Sequence, residues 1–222
     1  MPRLHKLSYM FIMLGILMIL FPTAREWNED REQNELLKAA ELIPEKSEAI
    51  WNPGLINNYD RLSTRFAEIP VSDAQQEAAF PIPEPIETED QQTPIATIRM
   101  SRIDLKLPVL EGATRKNMRH AAVHMPETGA LGQMGNAAIA AHRARTHGRL
   151  FNRLNEVKIG DEIVVNTRGE NYVYKVFNIK VVAPTDVSVL KSFNKQKLLT
   201  LITCDPPVKP THRLIVQAKQ ST

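Results

Sequence analysis

The sequence holds one cysteine in 222 residues, Cys204. A disulfide within the chain is therefore excluded, and the fold must rest on an apolar core. Blocks of consecutive lysine or arginine are also missing. Twenty-eight basic residues stand against 25 acidic ones, and the net charge of +3 is spread along the chain, so the basic arm of a nucleic-acid binder is excluded. Neither an internal repeat nor a low-complexity tract is present. The length rules out two large domains, while 43% hydrophobic residues suffice for one sizeable domain plus accessory sequence.

One stretch lacks charge altogether. Arg3 and Lys6 precede the run from Leu7 to Ala24, which stops at Arg25. As a helix it is roughly 27 Å long, enough to cross the hydrocarbon core of a bilayer. A cleaved signal peptide is the alternative, but the end "FPTAR" offers no clean A-x-A site. The expectation is an uncleaved transmembrane anchor. With basic residues before it and "REWNEDRE" after it, the N-terminus is cytoplasmic and the rest of the chain lies outside the cell membrane. Cys204 is then a free thiol in a compartment where disulfides form.

Beyond the anchor, Leu36, Leu37, Ala40 and Ile43 recur at helical spacing until Pro44, which predicts a partly amphipathic stalk. "YDRLSTRFAEIPVSDAQQEAAF" has room for another short helix. Pro81, Pro83, Pro85 and Pro94, interspersed with acids, predict an extended linker. The chain thus divides into residues 1–24 (cytoplasmic tip and anchor), 25–93 (helical stalk and linker) and 94–222 (a folded domain). In that domain short β-branched runs alternate with turns: "IATIRM", "LKLPVLEG", "NAAIAAH", "DEIVVNT", "NYVYKVFNIKVVAP", "KLLTLITC" and "HRLIVQAK". "TRGEN" predicts a hairpin turn around Gly169, and a short helix is expected around "GRLFNRLNEVKIG". Seven or eight such strands indicate a mainly β domain built as a small barrel.

Cys204 follows Leu198–Thr203, a run too uniformly apolar for a half-exposed strand and read as buried on both faces. "DPP" then ends the strand, which leaves Cys204 at a strand end beside a loop. The plain alternative is a small buried hydrophobe. "THRLIVQAK" predicts a returning strand that brings Arg213 near Cys204, with His212 on the opposite face. A thiol needs activation, since the thiolate is the nucleophile, and an arginine suits either a thiolate or a developing oxyanion. Histidine is the usual general acid. His142 closes the apolar run "NAAIAAH" where polar sequence resumes, whereas His120, His124 and His147 lie in loop-like sequence and are expected to be exposed, and His5 falls in the cytoplasmic tip.

Taken together these segments resemble the sortase family. "TLITC", with the arginine of "THRLIV" nine residues after the cysteine, is similar to the family signature. "GNAAIAAHR" followed by "LFNRLNEVKIGD" is similar to the histidine segment, and "HMPETGALGQMGN" to the stretch leading into it. The likeness covers Ile95 to Ala218, in the family's order. It implies an eight-stranded sortase-type barrel with short helices and a cysteine transpeptidase of Gram-positive bacteria. Cys204 would attack the Thr-Gly carbonyl of an LPxTG-like sorting signal. An amine on a cell-wall precursor or another protein would resolve the thioacyl enzyme. His142 would shuttle the proton, Arg213 would hold the carbonyl oxygen, and Thr203 would be a substrate-binding residue.

No metal and no other cofactor is expected: some relatives bind calcium before the cysteine strand, but "APTDVSVLKSFNKQK" offers one acid, Asp186. The chain ends at "QAKQST" without the second span usual in pilus-building members, so a single-anchor, wall-attaching class is expected. A pilus-polymerising sortase or a non-catalytic tethered scaffold are the alternatives. A papain-like peptidase would carry its cysteine early and on a helix. At unperturbed pKa values, about 0.7% of molecules at pH 7 would hold thiolate and imidazolium together, which implies slow turnover unless neighbours raise that fraction.

Overall fold

The computed structural model describes Met13, Gly15 and residues 30–42, 93–144, 146, 148–192 and 196–221. The expected anchor lies outside the described residues but for Met13 and Gly15, as do the second short helix and nearly all of the linker. Among the described residues no helix is long and apolar enough to cross a membrane.

Eight strands close a barrel: β1 (Ala96–Met100), β2 (Leu105–Glu111), β3 (Ala122–His124), β4 (Gly135–Ala140), β5 (Glu162–Thr167), β6 (Glu170–Val182), β7 (Lys197–Asp205) and β8 (His212–Gln220). Their order around the wall is β1-β2-β3-β4-β7-β8-β6-β5, and β5 pairs back onto β1. Every expected strand is present. β3 is an addition to them, because three residues before Pro126 are too short to show a period. The β5–β6 turn at Arg168 and Gly169 has positive φ at both positions, the backbone that matches the twist of a two-residue hairpin.

The short helix expected around 148–160 is instead a series of turns with one 3-10 turn, Leu154–Glu156. Gly148 and Leu150 stand at φ of 81° and 46°, outside helical geometry, and Gly160 at 94° closes the segment. Between 30 and 221 the described residues also form a helix over 30–41 (α1) and a single turn Arg115–Met118 (α2), with further 3-10 turns at Ser101–Ile103 and Val187–Leu190.

Pleat alternation divides the apolar residues into two bodies. Ile98, Leu107, Ala137, Ile139, Leu199, Leu201, Leu214 and Val216 fill the barrel interior. Ala138, Ala140, Ile202, Cys204 and Ile215 point the other way and pack with Met118, Val189 and Leu190 on the outer wall. β4 and β7 are therefore covered on both faces, which suits their parallel pairing. A buried polar set fixes the outer layer: Thr200 Oγ1 donates to Asn136 Oδ1 at 2.8 Å, and Asn136 Nδ2 and Gln217 Nε2 each donate to the Val189 carbonyl at 3.0 Å. Asp186 caps this 3-10 turn by accepting from the Ser188 N–H at 3.0 Å.

α1 does more than the expected stalk, for it lies against the barrel. Asp30 pairs with Arg149 at 3.1 Å, Glu32 with His120 at 2.6 Å, and Glu41 with Lys106. The Glu41–Lys106 pair is exposed on both sides and contributes little, while the helix also packs through buried Ala40 and through Leu36 against the outer cluster.

His124 corrects the expectation of an exposed loop residue: it is 6% exposed at the end of β3. Its Nδ1 lies 2.9 Å from Glu111 Oε1 and its Nε2 2.9 Å from the Gly129 carbonyl oxygen. Both ring nitrogens face acceptors, so only the imidazolium can donate to both. Burial works to lower the His124 pKa, but Glu111 and the Gly129 carbonyl outweigh it and the net shift is upward. His120 is likewise largely covered rather than exposed, its side chain 12% accessible beneath α1. His147 lies outside the described residues.

Because the folded His124 pKa is raised, its contribution to stability is complete below the unfolded value of about 6.5 and is lost as pH rises through the folded value. Glu111→Gln is therefore expected to cost about 1–2 kcal/mol at pH 6, discounted for the half-exposed carboxylate, and less at pH 9. Urea unfolding at the two pH values checks this; an equal loss at both would show that the charge of His124 is not what holds the loop.

Candidate active site

The site is built by two adjoining strand pairings. β7 and β8 form an antiparallel hairpin whose register sets Cys204 directly across from Arg213. β4 and β7 are parallel neighbours, paired through Ala140 and Ile202, and the Ala141 N–H continues the ladder to the Ile202 carbonyl at 3.1 Å. One step further along the same register places His142 beside Cys204. Alternation agrees: Ala138 and Ala140 belong to the outer cluster and Ala141 to the inner one, so His142 is the next outer-wall position. The structure thus brings Cys204, Arg213 and the backbone position of His142 together at one end of β7.

Arg213 is 1% exposed and donates through Nη1 to Cys204 Sγ at 3.4 Å, with a second donation to the His212 carbonyl at 3.4 Å. His212 itself is exposed, on the face opposite Arg213. Cys204 is 5% exposed and free. Burial pushes its thiol pKa up, while the Arg213 and Arg143 guanidiniums pull it down, and burial prevails. Burial thus favours the neutral thiol at Cys204, and a cation already faces the sulfur. The guanidinium opposite it favours negative charge on the sulfur, against the burial that disfavours it.

Thr203 is fully buried, and its hydroxyl donates to the Ala141 carbonyl at 2.8 Å. Its side chain ties the histidine segment to the cysteine strand. The histidine segment is fastened on its other side too, since the Phe151 N–H donates to the His142 carbonyl at 3.0 Å and Phe151 is fully buried. Sequence reasoning missed two neighbours, Arg143 and Asp205, which form an ion pair beside the site. The available signal was their adjacency to His142 and Cys204, one on each strand. A recess of about 490 Å³ lined by Thr185, Asp186, Val187, Ser188 and Lys191 adjoins the outer cluster through Val187. Among the described residues no cluster of three or more His, Cys, Asp or Glu side chains is placed to hold a metal ion.

The site class is therefore a closed β-barrel with a lone thiol at a strand end, a buried guanidinium across from it and a histidine in register beside it. The family model described as Sortase domain matches residues 98–221, and the chain belongs to the sortase family. It is 34% identical over 139 residues to the sortase SrtE1 of Streptomyces coelicolor, covering 56% of this chain and 39% of the relative. It is 32% identical over 126 residues to Sortase A of Listeria monocytogenes, covering 57% and 56%. The chain thus spans about half the length, or less, of these relatives.

Among solved structures, a Clostridium perfringens Sortase D5 transpeptidase superposes with a TM-score of 0.53 at 29% identity, over 58% of this chain and 79% of that one. Sortase C1 of GBS Pilus Island 1 superposes with a TM-score of 0.62 over 86% and 92%, and at 24% identity the likeness is one of fold.

The raised thiol pKa has a direct readout. Alkylation of Cys204 by iodoacetamide is expected to accelerate steadily from pH 6 past pH 9, and Arg213→Gln, checked for folding by circular dichroism, should move the curve to still higher pH. A rate plateau reached below pH 7 would mean that the thiolate is already formed at rest.

Proposed function

We propose that this chain is a membrane-anchored cysteine transpeptidase that cuts an LPxTG-like sorting signal between Thr and Gly and joins the new Thr carboxyl to an amine. The observation that carries the reading is the 3.4 Å contact between the buried Arg213 guanidinium and Cys204 Sγ, with His142 next in register. A buried arginine facing a thiol offers a ready donor for an oxyanion forming on the carbonyl that the sulfur attacks.

The chemistry follows from these three groups. His142 takes the Cys204 proton as sulfur bonds to the threonyl carbonyl carbon, and Arg213 donates to the resulting oxyanion. Collapse breaks the Thr–Gly C–N bond, with His142 returning the proton to the leaving glycyl nitrogen. An incoming amine then attacks the thioacyl carbon, gives a proton to His142, and releases Cys204. Thr203 serves through the strand it fastens. The acceptor that fits the anchored, outward-facing domain is an amine of a cell-wall precursor, so that surface proteins are fixed to the wall on the outer side of the cell membrane. In a pilus-polymerising role the acceptor would be a lysine of another subunit.

Incubation of the full chain with a quenched LPxTG-type peptide and an amine is expected to give a Thr-amine product by mass spectrometry. Cys204→Ala should abolish it, and Arg213→Ala should lower kcat by about 10²–10³-fold. Oligoglycine outcompeting a lysine-bearing peptide supports wall anchoring, and the reverse order supports pilus assembly. Hydrolysis alone, with no new amide, would replace the transpeptidase reading with a peptidase.

A further inference from the structure

His142 stands just past the last residue of β4, where the ladder no longer fixes the backbone by itself. Besides the Phe151 N–H that donates to its carbonyl, attachments on the residues either side tie it to β7. Ala141, before it, is bound to β7 through its N–H to Ile202 and through its carbonyl to the Thr203 hydroxyl. Arg143, after it, is bound to β7 through an ion pair from Nη1 to Asp205 Oδ1. The two contacts bracket His142 on one strand and Cys204 on the other, like fasteners on either side of a seam.

The second fastener is well enclosed. The Arg143 side chain is 10% exposed and that of Asp205 31%, so the pair is screened far less than one on an open surface. Arg143 also directs Nε toward the Asn152 carbonyl at 3.5 Å, while Asn152 Nδ2 donates to the Ala144 carbonyl. The guanidinium therefore joins three pieces of chain: the histidine segment, the turn that follows it, and the end of the cysteine strand. Asp205 is itself held from the other side, because its carbonyl accepts the Thr211 N–H at 3.1 Å across the β7–β8 loop. Its carboxylate is thus fixed to the strand end that carries Cys204. On inner-to-outer alternation, Arg143 and Asp205 fall on the face opposite His142 and Cys204, so the pair can fix spacing without entering the reaction.

We propose that Arg143 and Asp205 are a positioning pair that sets His142 at working distance from Cys204. The inference rests on the reading of those two residues as the reacting pair. Misplacing a catalytic base by about 1 Å can cost on the order of 10²-fold, so a pair that touches neither substrate nor sulfur can govern kcat. The Arg143 charge also opposes burial at the thiol, a supporting effect that Lys at the same position would keep while losing the forked geometry.

Two measurements test it in the full chain. In transpeptidation, Arg143→Gln and Asp205→Asn should each lower kcat at least tenfold with KM within about twofold, and the double variant should lose no more than the worse single, because one interaction is being removed twice. Arg143→Lys should recover only part. The second measurement needs no substrate. His142→Cys places a second thiol opposite that of Cys204, and oxidation of the two by glutathione disulfide to a bridge between the strands reports their spacing directly. Adding Arg143→Gln or Asp205→Asn should slow bridging about tenfold.

Equal bridging rates in all three backgrounds would overturn the inference, as would kcat losses that multiply in the double variant. Slowed bridging with no product even from the wild-type chain would keep the positioning pair and remove the transpeptidase reading. Product from the wild-type chain with unchanged bridging would do the opposite. Thermal melts guard against misfolding, and should Arg143→Gln fail to fold, Asp205→Asn carries both measurements.

Discussion

The parallel pairing of β4 with β7 is the contact on which the rest of the site depends. Each strand by itself is a short apolar run with one polar residue beyond its end. Only when Gly135–Ala140 lies along Lys197–Ile202 do two residues 62 positions apart in the chain, His142 and Cys204, come to the same level of the wall. A one-residue slip would send every side chain of a strand to the opposite face, and with it either the histidine or the cysteine into the barrel interior. The register is guarded accordingly. Ala137, Ile139, Leu199 and Leu201 fill the inside, and the Asn136–Thr200 hydrogen bond locks the outside at one defined step.

That pairing also explains the company the sulfur keeps. β7 is covered on both sides, so its terminal cysteine emerges from an apolar layer and inherits a raised pKa. The opposing influence comes from β8, whose antiparallel register supplies Arg213 directly across from it. Burial and cation act against each other at the same atom. The result is a thiol whose pKa burial raises while a cation faces its sulfur.

Much of this was legible in the sequence because the barrel uses strong local signals. Apolar runs marked seven of the strands, Gly169 marked the hairpin, and "DPP" marked where β7 must end. The cysteine and arginine on either side of one loop were readable because a hairpin brings sequence neighbours together. What was not readable depended on distant partners. β3 is only three residues long and owes its existence to pairing with β2 and β4. His124 looks like a loop histidine until Glu111, on β2, is set beside it. The segment after His142 has helix-forming composition, yet positive φ at Gly148 and Leu150 turns it into a fold-back that lets Phe151 reach the His142 carbonyl. The Arg143–Asp205 pair belongs to the same class, a product of register rather than of any local pattern.

The single thiol has a further chemical meaning. With no second cysteine in the chain, Cys204 has no resolving partner, so an oxidation to sulfenic acid cannot be closed into an internal disulfide and rescued from within. A protecting disulfide has to be formed with a thiol of another molecule. The same fact makes the molecule its own counter: each equivalent of thiol reagent taken up by folded protein reports one intact Cys204 thiol, so stoichiometry alone gives the fraction of chains whose sulfur is unmodified.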